Sequence, residues 1–434
     1  MEREFSKVLV VSTNAWRENT GSHTLISLFK VWDSKKLAQV YTRSALPDTT
    51  VCDRFFQISE NLVLKSIFNR KIKTGKEINA AYIPNKEDVS AEKSEAKLYR
   101  RNNSLILRMA REFVWKLGRW KTKELENFLR AYDPEVLFLP VYPTIYMGWI
   151  QKHILKKTKR PAVCYLTDDN YTYKVCGGNP VKYIHRFFLR KIVRQIVADC
   201  NKMFVIAPKQ KEEYDKIFGV ESVVLTKGID FSESRYIEKP LHTPIRMVYT
   251  GKLMIGRWRS LAAIGKEVEK INREGVKITL DIYTADRITK KQQTALTANG
   301  LRIAGAVSLK EVVEIQGKSD VLVFVESLDK RHKNAARLSF STKLTDYLKS
   351  GKCIFAVGDR NIAPIEYLER EDAAIVAGSY DEIGVKLQEI FNAQGRIIAY
   401  GKKAFECGKR NHDVNRINSI LMETINATWS GDAG

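Results

Sequence analysis

The chain has 434 residues, of which 44% are hydrophobic, and its 73 Lys and Arg against 50 Asp and Glu give a formal net charge of +23. That length exceeds what one hydrophobic core serves and fits two α/β domains of about 200 residues each. No apolar run approaches the ~20 residues that cross a bilayer, so we expect a soluble globular protein without a transmembrane helix or a signal peptide.

Strands and helices alternate through the first half of the chain, apart from residues 61–103, whose charge is scattered and whose periodicity is weak. This alternation predicts a parallel sheet with helices on both faces. The predicted strands are 7–13, 37–42, 135–141, 161–167, 202–207 and 222–226. The predicted helices are 24–33, 104–132, a helix reaching about 157, 181–199 and 209–218.

A second α/β series follows residues 229–244, which lack periodicity and read as a linker. We therefore predict two Rossmann-like, doubly wound domains facing a cleft, with residues 1–228 in the first and 245–410 in the second. The strands predicted in the second are 246–251, 278–284, 301–307, 320–325 and 353–357, and its helices are 257–272, 289–299, 308–318 and one opening near 341.

The six cysteines show no CxxC spacing, and Cys164 and Cys353 fall inside predicted buried strands. A cysteine there usually behaves as a small hydrophobic residue. We therefore expect neither disulfides nor a zinc site, and a cytoplasmic location.

The stretch Leu338–Gly358 predicts a loop, a short helix and a buried strand. Ser341 is a good N-cap, and the helix start combines free backbone N–H groups with Ser341, Thr342 and Lys343. These groups favour an anion such as a phosphate. Asp346, on the same face, can instead accept hydrogen bonds from sugar hydroxyls. The pattern is that of a nucleotide-sugar site.

At these residues the chain resembles the retaining enzymes of glycosyltransferase family 4, which have the GT-B fold. Weaker matches are 203–214, 218–219 and 227–230, which are similar to the family's domain crossing, and a helix at about 411–428 that would pack back on the first domain. The resemblance implies transfer of a sugar from a nucleoside-diphosphate sugar to a glycan or lipid-linked acceptor, as in cell-surface polysaccharide synthesis. Its implied donor-binding residues on this helix are Ser341, Thr342, Lys343, Leu344 and Asp346.

The loop after the first strand of the second domain places Gly251, Lys252 and Arg257 at a strand end, where α/β proteins bind ligands. In the resembled family, cations of this loop hold the donor diphosphate, so Arg257 and Lys252 are implied catalytic residues. Gly251, Ala306 and Val307 are implied donor contacts. A basic surface loop is the alternative reading.

One position departs from the family pattern. Many members carry a glutamate eight residues before the ribose carboxylate, where this chain has Leu338. Glu326, directly after its strand, is a candidate replacement in donor binding, although an ordinary loop carboxylate would look the same.

In the first domain, Thr20 and Gly21 lie where the family has a glycine-containing acceptor loop, although a simple strand-to-helix turn would look the same. Asp168-Asp169 follow a later strand. Adjacent carboxylates at a strand end indicate function. The resemblance makes Asp168 catalytic and Asp169 an acceptor contact. The competing reading is the Asp-x-Asp metal site of GT-A enzymes. We expect no metal and no cofactor, because the cations around the diphosphate would do the metal's work.

Basic charge concentrates in the first domain. Lys and Arg outnumber Asp and Glu by seventeen to eight from Asn61 to Arg130, and five bases without an acid lie between Lys182 and Arg194. Residues 104–121, with Trp115 and Trp120, have the composition of an interfacial helix, and 183–191 are similar. We expect docking on the inner face of an anionic membrane. Two amphipathic helices covering a sheet are the alternative.

Two other functions remain open. A nucleotide-sugar 2-epimerase of the same fold would convert its substrate without an acceptor. A non-catalytic nucleic-acid binder would use the basic surface, but the sequence carries no recognised nucleic-acid-binding signature.

Overall fold

The computed structural model describes residues 5–18, 24–79, 105–298, 300–330 and 332–431, and residues 82–84, 88, 90, 92 and 93 between these ranges. Among them, no helix has the length and apolar character needed to cross a membrane. The chain divides into two compact units. The first comprises Met1–Ile206, Lys211–Thr226 and Asn418–Gly434, and the second comprises Ala207–Gln210 and Lys227–Ile417.

A mixed sheet forms the centre of the first unit. Its strands are β1 (Val8–Val11), β2 (Leu37–Tyr41), β3 (Arg54–Ile58), β4 (Gly75–Asn79), β5 (Val136–Val141), β6 (Ala162–Leu166), β7 (Lys202–Val205) and β8 (Val223–Val224). They lie in the order β4-β3-β2-β1-β5-β6-β7-β8. All pairs are parallel except β3 with β4, so the prediction of a wholly parallel sheet is wrong at this edge.

The strand β4 falls in the segment 61–103 that resisted prediction, and β3, just before that segment, was not predicted either. β4 has the sequence Gly-Lys-Glu-Ile-Asn, and only Ile78 among its side chains is buried. An edge strand with a single apolar side chain carries no period-2 signal, which explains why the sequence did not reveal it.

The helices in the first half of the chain are α1 (Thr24–Phe29), α2 (Glu60–Phe68), α3 (Leu105–Leu117), α4 (Lys123–Tyr132), α5 (Ile145–Thr158), α6 (Pro180–Asp199) and α7 (Pro208–Phe218). The single helix predicted over 104–132 is in fact two, α3 and α4. The chain breaks at Gly118, where an added Cβ would collide with Val63 of α2. Thr122 then caps α4 by accepting a hydrogen bond from Leu125 N at 3.2 Å.

Both tryptophans assigned to a membrane boundary are buried, so that part of the prediction is wrong. Trp115 stacks on Tyr146 with ring centroids 4.6 Å apart, and its Nε1 donates to Glu60 at 3.2 Å. Trp120 donates to the carbonyl of Trp115 at 2.8 Å. The two rings fasten α3 to its neighbours in the first unit.

The second unit contains a parallel sheet of β9 (Ile245–Thr250), β10 (Ile278–Tyr283), β11 (Leu301–Gly305), β12 (Val321–Val325), β13 (Cys353–Val357) and β14 (Ile375–Ala377). The order is β11-β10-β9-β12-β13-β14, and every pair is parallel. This arrangement confirms the prediction of a doubly wound sheet. The helices of this unit are α8 (Arg257–Ile271), α9 (Lys290–Ala295), α10 (Leu309–Gly317), α11 (Thr342–Ser350), α12 (Ala363–Arg370), α13 (Tyr380–Asn392) and α14 (Gly395–His412). The last helix, α15 (Val414–Ser430), begins in this unit, and its residues from Asn418 onward belong to the first.

Helices cover the sheet of the second unit, so its central strands are fully buried. Every residue of β12 and β13 is buried, which is why both read as continuous apolar runs. Leu261 and Ile264 of α8 and Leu387 of α13 join the same core. This rigid core determines where the polar residues at the strand ends lie.

Candidate functional site

The site lies where the strand order of the second unit reverses. β9 pairs with β10 on one side and with β12 on the other, so the chain winds in opposite directions from this point. In doubly wound sheets, the carboxyl ends of the strands at such a switch point form the ligand-binding crevice. Here the loop after β9 and the residue after β12 occupy that place.

Hydrogen bonds to neighbouring residues fix the conformation of the loop from Gly251 to Gly256. Gly251 N donates to Tyr283 O at 2.9 Å, and the Tyr249 hydroxyl donates to the Lys252 carbonyl at 2.6 Å. Leu253 N donates to Asp286 Oδ2 at 2.7 Å. The loop therefore presents a defined surface to a ligand.

Arg257 and Glu326 form a bidentate ion pair within this site. Arg257 Nη2 and Nε donate to the two carboxylate oxygens at 2.8 and 3.1 Å, and the Glu326 side chain is only 4% exposed. Burial disfavours the guanidinium charge, but the neighbouring carboxylate outweighs it and raises the pKa of Arg257. Glu326 thus positions Arg257, a relation that the sequence did not reveal because the two residues lie far apart in the chain.

Lys343 reaches the same place from α11. Its Nζ donates to the Thr250 carbonyl at 3.0 Å, at the end of β9. Burial, together with the positive charges of Arg257 and Lys252, lowers the pKa of Lys343 to about 8. Three cations thus lie near two carboxylates, Glu326 and Asp286, which leaves a net positive charge. An excess of like charge is unfavourable in isolation and favourable once an anion binds.

The start of α11 adds backbone donors to these cations. Ser341 occupies the N-cap position with extended backbone, but its hydroxyl does not cap the helix. Thr342 is half-buried at the first helical position. The buried Leu344 is a core residue whose N–H donates to Ser341 O at 3.0 Å. Its side chain therefore supports the helix start.

Asp346 is the exposed carboxylate of this helix. Lys227 Nζ donates to its Oδ1 at 2.9 Å, and the Asp346 side chain is 51% exposed. An exposed carboxylate retains acceptor capacity for a ligand hydroxyl. Lys227 belongs to a segment matched to the domain crossing, and no local signal marked it as a neighbour of the site.

The other implied donor contacts lie elsewhere. Ala306 and Val307 follow β11, at the sheet edge and two strands from β9. Leu338 is fully buried, so the position where the family has a sugar-contacting glutamate serves the core in this chain.

The two adjacent carboxylates predicted as functional in the first unit differ in their exposure to solvent. Asp168 is exposed directly after β6. Asp169 is buried, and its carboxylate accepts hydrogen bonds from Thr172 N at 2.8 Å, from the Thr172 hydroxyl at 2.5 Å and from Tyr214 at 3.2 Å. This network gives Asp169 a structural role within the first unit, and its contact with the acceptor stays a prediction.

Thr20 and Gly21 lie outside the described residues. Within the described part of the chain, no three His, Cys, Asp or Glu side chains are grouped as metal ligands would be.

Comparison with known sequences finds no relative: no family model matches, and no curated protein matches. Comparison with solved structures finds similar proteins. HepE from Anabaena in complex with UDP matches with a TM-score of 0.62 at 10% identity over 97% of this chain and all of its own. HepE in complex with UDP-glucose gives 0.58 at 10% identity with the same coverage.

Sucrose-phosphate synthase from Thermosynechococcus elongatus also matches, with a TM-score of 0.62 at 9% identity over 98% of this chain and all of that chain. These matches extend over both α/β units of this chain. The protein has the GT-B fold that the resemblance predicted.

Proposed function

We propose that the protein is a glycosyltransferase that moves a sugar from a nucleoside-diphosphate sugar to a glycan or lipid-linked acceptor. The observation that carries this proposal is the convergence of Arg257, Lys343 and Lys252 at the switch point of the second sheet. A diphosphate supplies the negative charge that such a cluster lacks. The GT-B fold, shared with a protein solved with UDP and UDP-glucose, supports the same assignment.

In this mechanism the second unit stabilises the leaving group. Arg257, oriented by Glu326, and Lys343 neutralise the charge that develops on the diphosphate as the glycosidic bond breaks. Lys252 adds a solvent-exposed cation. Gly251, Ser341 and Thr342 would line the phosphates, and Asp346 would accept a ribose hydroxyl. Ala306 and Val307 are proposed to contact the base.

We further propose that the anomeric configuration is retained. The acceptor hydroxyl would attack from the same face as the departing diphosphate, whose own oxygen removes the proton. Asp168 is the proposed first-unit residue near the transferred sugar, and cell-surface polysaccharide synthesis is the proposed setting.

A thermal-shift screen against UDP, GDP, ADP and their sugars tests the assignment. A ligand present at a hundred times its Kd adds about 2.7 kcal/mol to the free energy of unfolding. We expect a rise in Tm with at least one nucleoside diphosphate and a smaller rise with the matching nucleoside. If none of these ligands raised the Tm, the proposal would be wrong. Conversion of the sugar without an acceptor would instead indicate the 2-epimerase.

Replacing Asp346 with asparagine is expected to weaken UDP binding about tenfold, because the carboxylate's charge strengthens its hydrogen bond to a ribose hydroxyl. Pyrophosphate has no ribose, so its affinity should change little. Calorimetry with both ligands checks this, and Asp381→Asn, at an exposed position in the first turn of α13, is the matched control. Equal losses for UDP and pyrophosphate would show that Asp346 does not contact the ribose.

The lowered pKa of Lys343 predicts a pH-dependent affinity. The protonated amine binds the diphosphate, so affinity should fall as pH rises above about 8, by up to about tenfold per pH unit. The diphosphate of UDP is already fully ionised there, since the phosphate titrates near 6. Lys343→Arg stays charged, so its affinity for UDP should change much less than that of wild type between pH 7.5 and 9.5. Wild-type affinity that is constant over that range would place Lys343 away from the diphosphate.

Sugar transfer should survive a chelator, because protein cations neutralise the diphosphate in this proposal. The measurement is the initial rate of UDP release with and without EDTA. Loss of activity that Mn²⁺ or Mg²⁺ restores would assign a metal to the reaction and bring Asp168 back as a candidate ligand.

A further inference from the structure

Two helices of the first unit display large apolar side chains to solvent. Phe113 and Leu117 of α3 are 58% and 64% exposed, and Ile184 and Phe188 of α6 are 53% and 52% exposed. Isolated exposed apolar residues are common on protein surfaces, but a contiguous group marks an interaction site.

Phe113, Ile184 and Phe188 lie together, and Leu117 follows Phe113 by one helical turn on α3. A groove of about 340 Å³ runs between α3 and α6, with the start of α5 at its base. Its apolar lining consists of Met109, Phe113, Ile145, Trp149, Ile184, Phe188 and Ile192. The partner of this surface must therefore offer apolar groups.

The charge around the groove is positive. Lys116 and Lys191 line it and are both exposed. Glu112 is the one acid in the sequence of α3, and its buried carboxylate accepts hydrogen bonds from Ile145 N at 2.9 Å and Tyr146 N at 2.7 Å. The one acid of α6 is Asp199, at its far end. The exposed charge beside the apolar groove thus favours an anionic partner.

Whether the cations beside the groove are lysines or arginines indicates whether the partner is a lipid surface or a protein. The arginines of α6 are bound within the unit: Arg186 donates to Asp169 O at 3.0 Å, and Arg190 donates to Tyr171 O at 3.0 Å. The cations beside the groove are lysines, and Lys191 Nζ lies 4.6 Å from the centre of the Phe187 ring. Protein interfaces are enriched in arginine and depleted of lysine, whereas flexible lysines suit lipid headgroups.

We propose that Phe113, Lys116, Leu117, Ile184, Phe188 and Lys191, here named the α3–α6 face, dock the protein on an anionic lipid bilayer. The phenylalanines and aliphatic side chains enter the headgroup boundary, and the lysines contact the lipid phosphates. This differs from the sequence prediction, which assigned insertion to two tryptophans that are buried. The proposal does not depend on the reaction that the protein catalyses.

Co-sedimentation with lipid vesicles tests whether the α3–α6 face docks on a bilayer. One set of vesicles consists of phosphatidylcholine alone, and the other is phosphatidylcholine containing about 30% phosphatidylglycerol. The full chain should bind the anionic vesicles and hardly the neutral ones. Lys116→Gln with Lys191→Gln should weaken binding about 25-fold, since each cation near the surface contributes about fivefold. Phe113→Ser with Leu117→Ser and Phe188→Ser should weaken it at least about tenfold and remove any fraction that resists 1 M salt.

Matched controls lie in the second unit. Lys290→Gln with Lys291→Gln changes two exposed lysines, and Leu309→Ser with Val313→Ser and Val385→Ser changes three exposed apolar side chains. Neither control should alter vesicle binding, and all variants should keep the wild-type Tm. Absence of binding, equal binding to both vesicle types, or equal losses in the controls would overturn the proposal. None of these outcomes concerns donor binding, so the proposed function would stand or fall separately.

Discussion

Replacing Arg257 with alanine is expected to lower kcat for release of UDP from a UDP-sugar by about 10²- to 10³-fold, the usual effect of removing one group that stabilises a developing anion. The same change leaves Glu326 buried and unpaired, and breaking a buried ion pair costs about 3–5 kcal/mol of stability. Activity and the free energy of unfolding must therefore be measured together, by steady-state kinetics and by urea denaturation.

A double variant separates these two effects. Arg257→Met with Glu326→Gln removes both charges, and a neutral replacement of a buried pair can restore stability. We expect this variant to regain most of the lost stability and none of the lost activity. Arg257→Lys should fall between wild type and alanine, because an ammonium keeps the charge but not the bidentate geometry. Recovery of normal kcat in the double variant would show that Arg257 has only a structural role.

Gly251→Ala is expected to weaken UDP binding strongly while preserving the fold. A Cβ at this position would collide with Lys343 Nζ and lie 3.1 Å from the Tyr249 hydroxyl. The flexible lysine gives way more easily than the strand end, so the ammonium is displaced from the Thr250 carbonyl that it contacts at 3.0 Å. Calorimetry should show at least about a tenfold loss of affinity, as expected for a charge-assisted contact.

Gly317→Ala is the matched control for that variant. Nothing lies within 4 Å of a Cβ at Gly317, at the end of α10, so the substitution should leave both affinity and stability close to wild type. Normal UDP affinity in Gly251→Ala would mean that the position of Lys343 at the strand end is not needed for binding.

The helix α11 could be predicted closely because its signals are local. Ser341 begins it, Gly351 ends it with a left-handed φ of 64°, and the apolar residues between them follow a helical period. The strand that follows, Cys353–Val357, is a continuous apolar run and has the predicted bounds. Short-range physical chemistry determines both elements.

Long-range pairings could not be predicted in the same way. Arg257 and Glu326 are 69 positions apart, and Lys227 and Asp346 are 119 apart. Each pair forms only because the fold brings distant segments of the chain together. The resemblance indicated Arg257 as a ligand-binding cation, but nothing local indicated that a buried glutamate would hold it.

Amphipathic helices posed a different difficulty. The sequence of α3 shows an apolar face and a basic face, but not which apolar side chains cover the sheet. In the structure Trp115 packs inward and Phe113, two residues earlier, is exposed. Burial depends on the neighbouring helices α2 and α5, whose position no sequence pattern revealed.

A phosphorus NMR titration of UDP with the full-length protein tests the central claim most directly, because it observes the groups that Arg257 and Lys343 are proposed to contact. We predict that both phosphorus signals shift or broaden as wild-type protein is added. The change should be much smaller with the Arg257→Met and Glu326→Gln double variant at equal concentration. Unchanged signals with wild type, or equal changes with both proteins, would contradict a diphosphate site at the β9–β12 switch point.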